Sequence, residues 1–178
     1  MEIERKYLIR YMPAEIEKAE KREIEQGYLC RDPVVRVRKS NDKYILTIKL
    51  KNKGSGREGN PLINDEFEYY IGAEAFEHLK NKADNHIISK TRYIIGLDGG
   101  LKAELDVFHG ILEGLRFVEV EFPSLEDANA FAPPDWFGED VTSDPAYRNG
   151  HLTTLDDMSG FQAAGGSSGQ SETEDSVK

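Results

Sequence analysis

The chain has 178 residues, enough for one domain with a real core and too few for two comfortable ones. Apolar residues make up 38% and charged residues 31%, so part of the chain is either unstructured or lines a wet interior; the formal net charge of −10 argues against binding a nucleic-acid duplex, whose phosphates need a basic face. Cys30 is the single cysteine, which excludes an internal disulfide and a cysteine metal cluster and suits a reducing compartment.

In chain order, β-type runs are predicted at residues 2–9, 28–31, 34–39, 43–51, 64–70, 89–95, 102–108 and 116–122. Between them PAEIEKAEKREIEQG (13–27), with Pro near its start and Gly at its end, reads as a helix. So do AEAFEHLKNKA (73–83), with Phe76 and Leu79 at helical spacing, and SLEDANAF (124–131), which opens on a Ser N-cap. KGSGREGNP (53–61) reads as a loop; Gly54, Gly56 and Gly59 spell G-x-G-x-x-G, but Asn60 and Pro61 stand where a phosphate-holding helix would begin. Charges begin at Glu2, unlike a secretory leader, and no apolar run is long enough to span a bilayer, so a cytoplasmic location without membrane contact is expected. The folded unit is expected over residues 1–155, and residues 159–178, rich in Gly, Ser and acids, read as a disordered tail.

Seven strands repeat one device. Glu2, Glu4 and Lys6 alternate along the first; Arg36 and Arg38, Lys49 and Lys51, Glu66 and Glu68, Lys90 and Arg92, Glu104 and Asp106, and Glu119 and Glu121 follow. Side chains two apart on a strand share a face, and the residues between are mostly apolar: Ile3, Val37, Leu50, Phe67, Leu105 and Val120. A solvated face usually mixes polar types, whereas each pair here carries one sign. Eight strands is the number that closes a small antiparallel barrel. The expected fold is therefore α+β, an eight-stranded antiparallel β-barrel with helices packed outside and the charged faces turned into a wet tunnel. Such a tunnel suits a ligand of many negative charges: Arg offers bidentate forks, Lys point charges, and the carboxylates oxygen ligands for a divalent cation. His78, His86, His109 and His151 lack metal-ligand spacing, and Trp136 in PPDWFGED is expected to anchor the C-terminal segment.

With its opening E-x-E-x-K (Glu2, Glu4, Lys6) and its DPVVRVRK, LTIK, ISKTRY, ELDVFHGILEGL and VEVEFPS stretches in order, the chain resembles the CYTH superfamily, the triphosphate tunnel metalloenzymes. It is most similar to short bacterial members, many of which hydrolyse inorganic tripolyphosphate. The resemblance implies Mg²⁺ or Mn²⁺ held chiefly by Glu2, Glu4, Glu119 and Glu121, with Glu66, Glu68, Glu104 and Asp106 completing the acidic lining. It implies a triphosphate bound by Lys6, Arg36, Arg38, Lys49, Lys51, Lys90 and Arg92, and in-line attack of water on the terminal phosphoryl group. Lys90, among other cations, and Tyr28 are the candidate base pair, with a metal-bound hydroxide as competitor. Nucleoside or thiamine triphosphatase, class IV adenylyl cyclase and a polyphosphate-binding module stay open beside inorganic triphosphatase. The expected partner is a small anionic substrate, with no nucleic acid and a monomeric or homodimeric chain.

Overall fold

Alternation of apolar and charged residues is realised as antiparallel strands in the computed structural model, which describes residues 2–51 and 62–159, without the side chains of residues 51 and 62–64. The strands are β1 (Glu2–Ile9), β2 (Glu20–Arg31), β3 (Val34–Ser40), β4 (Lys43–Lys51), β5 (Leu62–Tyr70), β6 (Asp84–Gly96), β7 (Lys102–Phe108), β8 (Arg116–Glu121) and β9 (Phe137–Asp140). They form one sheet in the order β5-β4-β3-β2-β6-β7-β8-β1-β9. β5 also pairs with β1 over three residue pairs, Glu2 to Asn64 through Glu4 to Leu62, so the strongly curved run β1 to β8 meets itself at a short seam. Hairpin connections and the register set the inward face; a slip of one residue would turn every charged pair outward.

Two helices cover the outside. α1 (Ala73–Lys80) buries Phe76 completely and sets it against Tyr44, with ring centroids 5.3 Å apart. Burial of one such ring stabilises the fold by about 1.5–3 kcal/mol. α2 (Leu125–Ala130) starts as its sequence predicts: the Ser124 hydroxyl accepts from the Asp127 N–H. With β9 it closes over Ile3, Tyr7, Leu105, Val118 and Val120, the apolar positions that alternate with the charged ones. A second apolar cluster fills one end of the barrel, where Phe108 and Phe117 meet Tyr28, Tyr147 and Leu152. The last segment reaches that end through α3 (Asn149–Leu152).

Two expectations are corrected. Residues 13–27 are not a helix: a 3-10 turn at Ala14–Lys18 is followed at once by β2. Ile24, Gln26 and Tyr28 are buried at period two, and pairing on both edges, with β3 and β6, outweighs the helix propensity of the Glu- and Lys-rich stretch. Gly27 pairs with Val37 within this strand, and glycine is required there because a Cβ would lie 2.8 Å from both Ala83 Cβ and Ile87 Cδ1. Trp136 packs edge-on against Phe137 in the outer cluster with Ile3 and Tyr7, not in the C-terminal end cluster. The Gly-rich loop and the expected tail from residue 160 lie outside the described residues. No helix among the described residues is long and apolar enough to cross a membrane.

Candidate active site

The curved sheet encloses a cavity of about 1000 Å³. Strands β1 to β8 contribute by their inward positions: Glu2, Glu4 and Lys6 from β1, Tyr28 from β2, Arg36 and Arg38 from β3, Lys49 from β4, and Glu66 and Glu68 from β5. Arg92 from β6, Glu104 from β7, and Glu119 and Glu121 from β8 complete the wall. Thus most of the residues singled out in the sequence converge on one space. Asp106 and Lys90 do not line it; at 0% and 1% exposure they are covered, although they share the inward face with Glu104 and Arg92. The Lys51 side chain is outside the described residues.

Opposite charges neutralise one another across this wall. Lys49 Nζ lies 2.6 Å from Glu2 Oε2 and 3.1 Å from Glu66 Oε2. Lys6 Nζ lies 3.0 Å from Glu119 and donates to the Tyr147 carbonyl at 2.8 Å. Arg38 donates to Glu68 at 2.9 Å, and Arg36 sits 3.6 Å from Glu66 while donating to the Thr47 hydroxyl. Beside them, Asp106 accepts from Lys90 at 2.5 Å and from Arg92 Nε and Nη2 at 2.7 Å each; Arg92 also reaches Glu104 and Glu119. Asp106 is therefore a counter-ion that aims two cations, with both its oxygens engaged by Lys90 and Arg92. The Nε atoms of Arg36 and Arg38 are buried without a hydrogen-bond partner, donors suited to anion oxygens.

The carboxylates are unevenly satisfied. Glu119 would be raised by burial, but Lys6, Arg92 and Lys90 outweigh this and hold it well below the ordinary range. Glu4 is pushed up to about 7 by burial, then by Glu119 and Glu2. Glu121 is raised by burial and by Glu2, Glu104 and Glu4. Among the described residues the Glu4 and Glu121 carboxylates make no hydrogen bond or ion pair, yet they stand directly opposite on β1 and β8. Like charges facing across strands are destabilising unless a cation lies between them. An all-oxygen set of this kind fits a hard divalent cation. No group of three or more acidic, His or Cys side chains among the described residues converges as a ready-made cation site, because Glu2 and Glu119 are turned to Lys49 and Lys6.

Burial likewise lowers Lys90 to about 8, offset by Asp106 and reinforced by Arg92. Arg38 falls to about 10 through burial and the nearby Arg36 and Arg92. Tyr28 takes a hydrogen bond from Gln26 Nε2 at 3.3 Å and lies beside Arg36; no hydrogen bond joins it to Lys90. Among the residues missed in the sequence are Glu20, Arg22 and Ile24, which line the cavity because β2 begins at Glu20. Glu20, Arg22 and Ile24 carry the two-residue spacing that would have revealed a strand.

A strongly curved antiparallel sheet that surrounds forked cations and uncompensated carboxylates defines a tunnel domain for phosphate-rich ligands. A family model described as CYTH domain matches residues 1–140, and the chain belongs to that family. An inorganic triphosphatase of Nitrosomonas europaea is 41% identical over 152 residues, 83% of this chain and 93% of that protein. An inorganic triphosphatase of Acetivibrio thermocellus is also 41% identical, over 71% of this chain and 77% of that one. The solved structure of the inorganic triphosphatase NE1496 superposes with a TM-score of 0.63 at 37% identity, covering 87% of this chain and 95% of its own.

Proposed function

We propose that this chain is an inorganic triphosphatase that hydrolyses the terminal phosphoanhydride bond of tripolyphosphate with a divalent cation, Mg²⁺ or Mn²⁺. The observation that carries this reading is the convergence of Arg36, Arg38, Lys49 and Arg92 with the unpartnered Glu4 and Glu121 on one cavity; the 41% identical relatives named inorganic triphosphatase support it. Binding an anion alone would not require the carboxylates. Glu4 and Glu121, joined by Glu2 and Glu119, would hold the cation, which when bound supplies charge neutralisation of the phosphate oxygens.

The chain's own residues account for the rest. The guanidinium forks of Arg36, Arg38 and Arg92 hold phosphate oxygens in pairs, and the Lys49 and Lys6 ammonium groups add point charges where negative charge grows at the leaving oxygen. Substrate replaces Glu66 and Glu68 as partner to Arg36 and Arg38, so these acids keep the cations in place beforehand. Asp106 fixes the Arg92 plane. For the proton of the attacking water we assign Lys90 and Tyr28. A lysine at about 8 is substantially neutral at mildly alkaline pH. Since Tyr28 lines the cavity, Lys90 is buried beside it on the inward face and no hydrogen bond joins the two, the pair would act through an intervening water.

The test is phosphate release by untagged protein from tripolyphosphate, ATP, thiamine triphosphate and pyrophosphate, with Mg²⁺, Mn²⁺ or chelator, beside Glu4→Ala. Cation-dependent release from tripolyphosphate that the variant loses is the expected result. Release from ATP or thiamine triphosphate alone would transfer the activity to an organic triphosphate. Lys90→Ala should abolish turnover while leaving cation binding, and full turnover would remove Lys90 as base.

A further inference from the structure

The outside of the sheet is unevenly covered. α2 and β9 close over β1, β7 and β8, and α1 packs on β3 and β4 where Val37 is fully buried and Tyr44 meets Phe76. Beyond α1 the outer face of β3, β4 and β5 carries no cover among the described residues: Leu50, Phe67 and Tyr69 are 46%, 50% and 57% exposed. Strand register gathers them into one patch. Val35, Ile48 and Phe67 form one cross-strand row, Leu46 and Tyr69 belong to the next, and Leu50 stands opposite Asp65. These positions alternate with Lys49, Glu66 and Glu68, which line the cavity, so the patch lies on the other side of the sheet from the site.

Size and charge both point to a second copy of the chain as the occupant. A half-exposed aromatic ring leaves roughly 100 Å² in water, and with Leu50 and the half-buried Val35, Leu46 and Ile48 the patch comes to about 300–400 Å². That is the apolar half of a stable interface, which takes about 800 Å² per partner with its polar rim. Asp65 ends the patch on one side. Lys39, whose Nζ lies 6.0 Å from the Tyr44 ring centroid on the same outer face, ends it on the other, about 20 Å along the strands. A two-fold axis across the middle of the face sets Asp65 of one copy on Lys39 of the other and brings the apolar rows together. Because a chain of net charge −10 repels its own copies at long range, self-association needs a face whose own charges cancel, as Asp65 and Lys39 do here.

We propose that the outer face of β3, β4 and β5 joins two copies of this chain in a two-fold dimer, with Phe67 and Tyr69 at its centre and Asp65 paired with Lys39 across its rim. The dimer stands whether or not tripolyphosphate is the substrate. Its test is the mass of the full chain in solution across a concentration series, by sedimentation velocity, for the unaltered protein, Phe67→Lys, Asp65→Lys and the double variant Asp65→Lys with Lys39→Asp. The unaltered chain should sediment as a dimer. Phe67→Lys should raise the dissociation constant at least about a hundredfold with unchanged circular dichroism, since the residue counts twice in a two-fold interface. Asp65→Lys should raise it about tenfold, and adding Lys39→Asp should restore it, a reciprocal rescue that loss of folding would not produce. A monomer at every concentration overturns the dimer and leaves the face to a different partner. A dimer that Phe67→Lys leaves intact, or an Asp65→Lys loss that Lys39→Asp fails to repair, overturns it as well.

Discussion

Asp106 is the residue on which the buried half of the cation network depends. It is fully buried and accepts from Lys90 at 2.5 Å and twice from Arg92 at 2.7 Å, while Lys90 and Arg92 are themselves only 1% and 7% exposed. Asp106→Asn keeps the side-chain shape and removes the charge, so no cavity term enters. Three charge-assisted bonds at about 1.5–3 kcal/mol each would sum to more than 4 kcal/mol. That sum overcounts, because Arg92 retains Glu104 and Glu119. Lys90 retains no carboxylate bond, and breaking a buried pair costs about 3–5 kcal/mol. We expect that loss in urea unfolding at pH 7, with a fall in Tm of roughly 6–20 °C for a chain of this size. Lys90→Met placed on the Asp106→Asn background should cost less than it does alone. A loss below about 1 kcal/mol for Asp106→Asn would refute the counter-ion role.

Further outcomes follow from the same geometry. Arg36→Gln and Lys49→Gln should each lower kcat/KM on tripolyphosphate by about 10- to 100-fold with unchanged circular dichroism, one charge-assisted contact apiece; full activity would take them out of the site. Glu4 is raised from 4.5 to about 7, so between these values the folded state keeps a proton the unfolded state has released. Its contribution is complete below pH 4.5 and lost as pH rises through 7. In chelator, Glu4→Gln should therefore gain stability relative to the unaltered chain between pH 5 and 8, and a pH-independent difference in urea midpoints would contradict this. Lys90 moves the other way: depressed from 10.5 to about 8, it makes folding more favourable as pH rises across that window, a slope that Lys90→Met should flatten. Ser124→Ala removes the α2 cap and should cost about 1 kcal/mol in thermal unfolding.

The inward-facing charged pairs were legible in the sequence because strand side chains alternate with period two, a local rule that needs no knowledge of neighbours. Glu2, Glu4, Arg36, Arg38, Lys49, Glu119 and Glu121 could be placed on one face in this way, as could the α2 cap at Ser124. The stretch 13–27 could not be read so, because its Glu- and Lys-rich composition favours a helix and only pairing with β3 and β6 makes it β2; Glu20 and Arg22 were lost with it. Nor does alternation tell depth. Asp106 and Glu104 share a face two residues apart, yet one is fully buried between Lys90 and Arg92 and the other lines the cavity. What the sequence by itself determined is which face each strand turns inward, a consequence of backbone geometry and hydrophobic burial. Which carboxylates are neutralised by a cation and which, like Glu4 and Glu121, face each other unanswered was decided by tertiary structure alone, because strand register brings together residues more than a hundred positions apart.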